Sequence, residues 1–220
     1  MMTSFPNSPK LIKGGIVLVD PIVASVQRII TLQYNPETLT RSFQIQGVGG
    51  DGGARSEALR LTGPSIETLK LDVEIDATDQ LEFPDDNPDT TEYGIHPQLA
   101  ALETLIHPSS ASLLANSILS SIGTVEILPM ETSLSLFIWS KNRILPVRIT
   151  EFSITEEAFD PALNPIRAKV SLGMRVLTVD DFGMLHAGNS LFMNYLQGKE
   201  QLMRKDKGGI LSTFGIGGVL

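Results

Sequence analysis

The sequence predicts a β-rich α+β protein, and the spacing of its apolar residues carries the prediction. Apolar residues recur at every second position through much of residues 133–180, and again along Ile66–Asp76. Helical spacing is confined to short segments near residues 95–106, 110–121 and 190–207. Period two marks a strand with one buried face, and a period near 3.6 marks an amphipathic helix.

The central stretch is the clearest. Leu134, Leu136 and Ile138 alternate in a first run, Val147 and Ile149 in a second, and Ala168, Val170, Leu172, Met174 and Val176 in a third. Ser140-Lys141-Asn142-Arg143 is short and polar, as a hairpin connection requires. Residues 156–165 carry two prolines and read as a longer loop before the third run. The expectation is a three-stranded antiparallel meander.

Taken in order, residues 1–13 read as a flexible or partner-ordered tail. Ile16-Val17-Leu18-Val19 and residues 26–34, where Ile30, Leu32 and Tyr34 alternate, are strand candidates. Asn35-Pro36 makes a turn, because proline fixes its own φ and keeps the preceding residue extended. Residues 39–46 form the next strand, with Phe43 and Ile45 on one side. Ile66–Asp76 sets Leu69, Leu71, Val73 and Ile75 against Lys70, Asp72, Glu74 and Asp76, the pattern of a half-buried antiparallel strand. Residues 77–94 read as a long acidic loop. Pro97 at a first turn, with Ile95, Leu99, Leu102 and Ile106 at helical spacing, predicts a short helix stopped by Pro108. Leu113, Leu114, Ile118 and Leu119 stripe a second helix over Ser110–Ser121, and residues 123–129 read as a short strand. Near the end, Leu191, Phe192, Tyr195, Leu196, Leu202 and Met203 place a helix over 190–207, capped by Asn189 or Ser190 and closed by Gly208-Gly209. Gly198 weakens its middle.

At 220 residues and 42% hydrophobic content, the chain can bury one sizeable core. The division expected is one domain over residues 1–180, followed by a C-terminal helix and apolar, glycine-rich tail over 181–220. There is no cysteine, so no disulfide or thiolate metal site can form. Residues 1–10 hold two prolines and no apolar run, and no stretch reaches membrane-helix length. Synthesis and folding in the cytoplasm, without a membrane span, are therefore expected. The net charge of −8 argues against nucleic-acid binding, which needs clustered Lys and Arg, and points to protein partners. Between Leu71 and Ser140 there is no Lys or Arg, while the carboxylates crowd there. That run is either a solvated face or an electrostatic docking surface or lumen lining.

Several patterns imitate chemistry without completing it. Gly47, Gly49 and Gly52 match a dinucleotide fingerprint, yet the preceding strand is polar and Gly63-Pro64 precludes the long helix that must follow. A loop that orders against a neighbouring subunit fits better. Asp85, Asn87 and Asp89 imitate the start of a calcium loop, but Thr90 replaces its glycine and His96 its bidentate glutamate. His96, His107 and His186 are scattered; only His107 with Glu103 has ligand spacing, beside the Pro108 break. Glu156 and Glu157 point to opposite sides of an extended chain and cannot share a substrate. No Gly-x-Ser-x-Gly elbow occurs. A non-enzyme with no cofactor and no metal is expected.

A family resemblance adds to this reading. Its carriers are Gln33-Tyr34-Asn35-Pro36-Glu37, Phe137-Ile138-Trp139, Arg143, Leu145-Pro146-Val147-Arg148-Ile149, Ile154-Thr155-Glu156-Glu157-Ala158-Phe159-Asp160, Leu163-Asn164-Pro165-Ile166-Arg167-Ala168-Lys169-Val170 and Val176-Leu177. In that order they resemble the tube-like baseplate proteins of contractile injection systems, over most of residues 25–180. The resemblance implies a tail-tube-like fold, with two antiparallel sheets packed as a small barrel and a helix across its open side; one of the two short helices is the candidate. It also implies homo-hexameric rings whose strands join across subunits to line a channel. Such a ring lies between the trimeric spike hub and the inner tube and starts tube assembly within the baseplate of a phage-tail-like particle. Larger members continue into a LysM domain that grips other baseplate parts. Nothing after Asp181 resembles one, so contact with the baseplate wedge would pass to residues 190–220. The alternatives are a main inner-tube subunit or second tube initiator, and, more remotely, a particle-associated enzyme or cargo.

Five residues stand out as candidate interface positions. Phe137 and Trp139 lie on the side of their strand opposite Leu134 and Leu136, where they form either a second apolar surface for a neighbour or a corner of the protein's own core. Leu211, Phe214 and Leu220 belong to the uncharged tail 208–220, which is expected to order only against a baseplate partner.

Overall fold

The structure is a computed structural model, and it describes residues 12–20, 25–47, 60–121, 133–183, 186–209 and 211–214. Its organising element is β6 (Arg143–Phe159), 17 residues long. The first part of β6 pairs with β5 (Leu134–Ser140), from Ser140↔Arg143 to Ser135↔Val147. From Val147 to Phe159 its other edge pairs with β7 (Pro165–Val176). Outside these lie β1 (Gly15–Val19), β2 (Val26–Thr31), β4 (Ile66–Asp76) and β3 (Thr40–Gln44), in the order β2-β1-β5-β6-β7-β4-β3. The meander and its tight Lys141-Asn142 hairpin are present.

The β-rich α+β class holds, while the two-sheet barrel needs correction. The described strands form one antiparallel sheet that does not close. The reason is the length of β6: one strand serves β5 with its first residues and β7 with the rest, so two blocks that would otherwise be separate sheets stay covalently and hydrogen-bond continuous. Its register slips between Ile149 and Glu151, where the bulge re-aims the strand. The blocks then fold towards each other. Ile16, Ile30 and Phe137 from one share a core with Leu69, Leu71, Val73, Val170, Leu172 and Met174 from the other. A fully buried side chain of this size contributes roughly 1.5–3 kcal/mol, so this shared core dominates the stability of the fold.

The gap between the blocks is stitched by the residues of the Gln33-Tyr34-Asn35-Pro36-Glu37 segment. β3 pairs β4 only as far as Thr40↔Lys70, leaving the far half of that β4 edge without a strand partner among the described residues. There the Gln33 amide acts as a ladder rung: its Nε2 donates to the Asp76 carbonyl at 2.6 Å, and the Asp76 N–H donates to its Oε1 at 2.9 Å. Asn35 does the same towards the chain leading into β1, accepting from the Gly14 N–H and donating to the Ile12 carbonyl, both at 2.9 Å.

Residues 77–94 are helical in pieces, which corrects the loop reading. α1 (Thr78–Leu81), a 3₁₀ turn (Pro84–Asp86) and α2 (Pro88–Tyr93) follow one another, with a proline opening both the turn and α2. Proline is suited to a first turn because its missing N–H would have no intrahelical partner there. Gly94, at φ +58°, then presses against β7: a Cβ there would lie 2.3 Å from the Pro165 carbonyl oxygen. That same oxygen accepts from the Ile95 N–H at 2.9 Å. Of the two short helices, α3 (His96–Glu103) is thereby the one packed on the core, through Leu99 and Leu102 beside Ile95. α4 (Ser110–Ser121) is not, since its Leu113, Leu114 and Ile118 are exposed.

Residues 156–159 belong to β6 and not to a loop, since Glu156 and Glu157 pair with Ala168 and Arg167. The remaining turn is held by the Asp160 carboxylate, which accepts from the Ala162 and Asn164 N–H groups and from the Asn164 amide, each at 2.8 Å. α5 (Ala187–Met203) is capped by His186 instead of Asn189 or Ser190, its Nδ1 accepting from the Gly188 N–H at 3.0 Å. The expected strand over 123–129, and most of the glycine-rich loop, lie outside the described residues.

Candidate assembly interface

Both ends of the sheet are open among the described residues. β2 ends one side and β3 the other, each with one backbone edge unpaired. Soluble proteins usually blunt such edges with charge or cover, because an unpaired strand templates pairing with another chain. Here the two end strands are of mixed polarity but carry exposed apolar side chains. Ile29 on β2 is 66% exposed, and Ile45 just beyond β3 is 75% exposed, with Val26 and Phe43 beside them also in water.

The five sequence-derived positions separate. Phe137 is 1% exposed and sits in the main core. Trp139 stacks on it at 5.9 Å between ring centroids, 25° from parallel, and its other neighbour is the Gly14 backbone, where a Cβ would come within 3.0 Å of Cε3. Phe137 and Trp139 thus fill a corner of the protein's own core, and β5 is buried on both faces. Leu134 and Leu136 form a smaller cluster with Val19, covered by Leu177, Phe182 and Leu191. Leu211 and Phe214 occupy a 3₁₀ turn (Leu211–Phe214) that packs on neither cluster, and Phe214 is 74% exposed. Leu220 lies outside the described residues.

One buried polar cluster lies apart from these five positions. Glu67, its side chain only 5% exposed, faces inward from β4 and ties three elements together. The Arg41 guanidinium of β3 lies 2.7 Å from Oε1, Lys199 Nζ of α5 donates to Oε2 at 3.3 Å, and the Tyr195 hydroxyl donates to Oε2 at 3.2 Å. Arg41 Nη2 also donates to the Tyr195 oxygen at 2.9 Å. Phe43 lies under both cations, with Arg41 at 5.0 Å and Lys199 at 5.4 Å from its ring centre. The sequence held one signal for this site: Glu67 stands in the same phase as Leu69 and Leu71, where an acid must find a buried partner. The cluster ties α5 to side chains of β3 and β4.

The outer face of the sheet is polar and laced with pairs between strands: Lys70 with Glu151 at 2.7 Å, Arg167 with Asp76 at 2.7 Å, and Lys169 with Glu157 at 3.7 Å. Such exposed pairs each contribute at most about 1 kcal/mol and chiefly keep the face hydrated. Burial works to raise the Asp76 pKa, but hydrogen bonds from Thr78 and the Arg167 guanidinium outweigh it, and the carboxyl titrates below its ordinary value. Asp160 is likewise held low, by its bonds to Asn164.

Among the described residues no three His, Asp or Glu side chains converge as a metal site. Asn87 donates to the Gln80 and Phe83 carbonyls, which occupies its amide within the lobe. His186 is taken up by its cap and by stacking on Phe182 at 4.6 Å. No helix among the described residues is long and apolar enough to cross a membrane. No protein-family model matches the chain, and no curated protein matches its sequence.

Proposed function

We propose that this chain is a structural, non-enzymatic subunit of a contractile injection particle, a ring-forming adaptor that joins the spike hub to the inner tube in the baseplate and starts tube assembly. The observation that supports the reading is the pair of end strands, unpaired on one side among the described residues, with Ile29 and Ile45 exposed beside them. Pairing the β2 edge of one copy with the β3 edge of the next is a heterologous contact, and heterologous contacts close into rings when the rotation permits. The hydrated outer face suits a water-filled channel. The particle assembles in the cytoplasm, with hub, tube and wedge proteins as partners. The resemblance of the sequence motifs supports the family reading; the sheet edges would supply the means of assembly.

Electron microscopy of the purified chain, alone and with hub or tube protein, tests the proposal. Six-fold rings with an open centre are expected when a partner is present, and Ile29→Lys or Ile45→Lys should abolish them. A chain that stays monomeric with both partners contradicts the reading. The second reading, a main inner-tube subunit, differs in copy number: rings of this chain would then stack on one another.

A further inference from the structure

A groove of about 360 Å³ runs between β2 and α3. The consecutive residues 28–33 line one of its walls. Side chains of a strand alternate between its faces, so a wall made of consecutive residues is the backbone edge of the strand. Pro97, Gln98 and Ala101 of α3 stand opposite, and the buried Val73, Ile75 and Leu102 give the groove an apolar lining. β2 pairs with β1 on its other side, so the backbone groups turned into the groove have no strand partner among the described residues.

Two polar groups interrupt this lining. Gln98 Oε1 is buried without a hydrogen-bond partner, the only side-chain atom in that condition among the described residues. Buried acceptors are nearly always satisfied, and an orphan beside a groove asks for a donor from whatever fills it. Arg28 is the one ionisable side chain in the lining, and it is exposed with no ion pair to a described residue.

We propose that this groove takes an extended apolar peptide segment of a protein partner, added antiparallel to β2 as one more strand, with an acidic residue at its last position. Each feature of the groove selects one feature of the occupant. The backbone edge matches the alternating donors and acceptors of an extended chain. The apolar lining matches side chains at every second position of that chain. Gln98 Oε1 matches an N–H, since an acceptor can be satisfied only by a donor. Arg28 stands near the start of β2, where an antiparallel segment ends, and charge complementarity places a carboxylate there. β3, which the ring reading seats on this edge, has no carboxylate over Thr40–Gln44 and leaves Arg28 unmet. The partner segment is therefore a different occupant of the same edge, and the inference does not rest on the ring.

Isothermal titration of the full chain with a synthetic hexapeptide tests it: Thr and Val alternate over five positions, aspartate is the sixth, and the C-terminus is amidated so that the aspartate carries the only carboxylate. Saturable binding is expected. Asparagine in place of the aspartate, or Arg28→Gln in the protein, should each weaken it up to about fivefold, and the two together no further, since they remove one shared contact. Methylating the peptide's backbone nitrogens should weaken it about tenfold or more, because several rungs are lost. Gln98→Leu separates binding from packing. It removes the orphan acceptor, so the Tm of the free chain should hold or rise while peptide affinity falls about three- to tenfold. A residue that only packs would move both in the same direction. Circular dichroism establishes folding, and Gln98→Met stands in should the leucine variant not fold. No saturable binding up to about 1 mM peptide, or binding indifferent to Arg28→Gln, overturns the inference. So does affinity unchanged in Gln98→Leu, which would leave the glutamine oxygen to a bound water only. The titration uses the chain without hub or tube protein, so its failure leaves the ring reading intact. A chain that binds the peptide and forms no rings refutes the ring alone.

Discussion

Replacing Glu67 by alanine should loosen α5 more than any single change on α5's own surface. The carboxylate accepts from Arg41 at 2.7 Å, Lys199 at 3.3 Å and Tyr195 at 3.2 Å, and its own side chain is 5% exposed. A hydrogen bond to a charged group contributes about 1.5–3 kcal/mol. Removing one member of a buried ion pair can cost about 3–5 kcal/mol, because the remaining charge is stranded. Here stranding is incomplete: Arg41 and Lys199 keep 27% and 38% of their side chains exposed and can turn to water. The net cost should therefore be about 2–4 kcal/mol. For a chain of this size each kcal/mol lowers Tm by about 2–4 °C, so a fall of roughly 5–12 °C is expected by calorimetry. Amide exchange should accelerate over residues 192–203 while the β6–β7 hairpin stays protected. A Tyr195→Phe companion should lose less in the Glu67→Ala background than alone, since the two share a bond. A Tm within about 1 °C of the unaltered chain would refute the reasoning, since that corresponds to under ~0.5 kcal/mol.

Gly94→Ala sets a Cβ 2.3 Å from the Pro165 oxygen at a φ of +58°, and should destabilise by about 2–4 kcal/mol in urea unfolding, the combined cost of strain and a displaced lobe. Trp139→Ala removes a ring stacked on buried Phe137 and should cost about 2–3 kcal/mol in the monomer; an unchanged urea midpoint would return Trp139 to an interface role. Asp76→Asn tests the depressed carboxyl. A group whose folded pKa lies below its unfolded value contributes stability above that value and loses it as pH falls through the folded one. The variant should therefore be the less stable protein at pH 7, and the difference should close as pH drops below the ordinary carboxyl value of 3.8.

β4 and α4 are legible in the sequence to the residue, because each repeats one period against a polar background. Residues 77–94 are not. Their helices are too short for a period to develop, and what orders them is Gly94 against Pro165, a contact across 71 positions of chain. β5 illustrates a different limit. Both of its faces are apolar, so alternation cannot say which meets the main core; the answer depends on α5 and residues 177–182 covering Leu134 and Leu136. The far half of β6 hides behind Glu156 and Glu157, whose outward charge resembles a loop until Arg167 and Lys169 are placed opposite. Of the assembly surface, Phe43 and Ile45 were visible as one face of a strand. Their position at the end of the sheet required knowing that β3 pairs only with β4.

Open sheet edges with exposed apolar residues carry a standing risk of uncontrolled pairing, and among the described residues the fold limits that risk in three places. β2 and β3 are short, 6 and 5 residues, so a single edge contact offers few rungs. The unpaired half of β4 is closed at its end by the Gln33 amide, which offers one rung and then stops. Arg28 on β2 places an exposed cation on that edge, so approach of two like β2 edges is opposed. A pairwise contact of five rungs is weak against the roughly 4–15 kcal/mol of lost translational and rotational freedom. Ring closure changes the balance, because the last copy gains two contacts for one loss of freedom. In the proposed assembly a hub that holds several copies at once would supply that advantage from the first copies onward. Short edges would then keep the free chain dispersed and still let the ring form where the hub is.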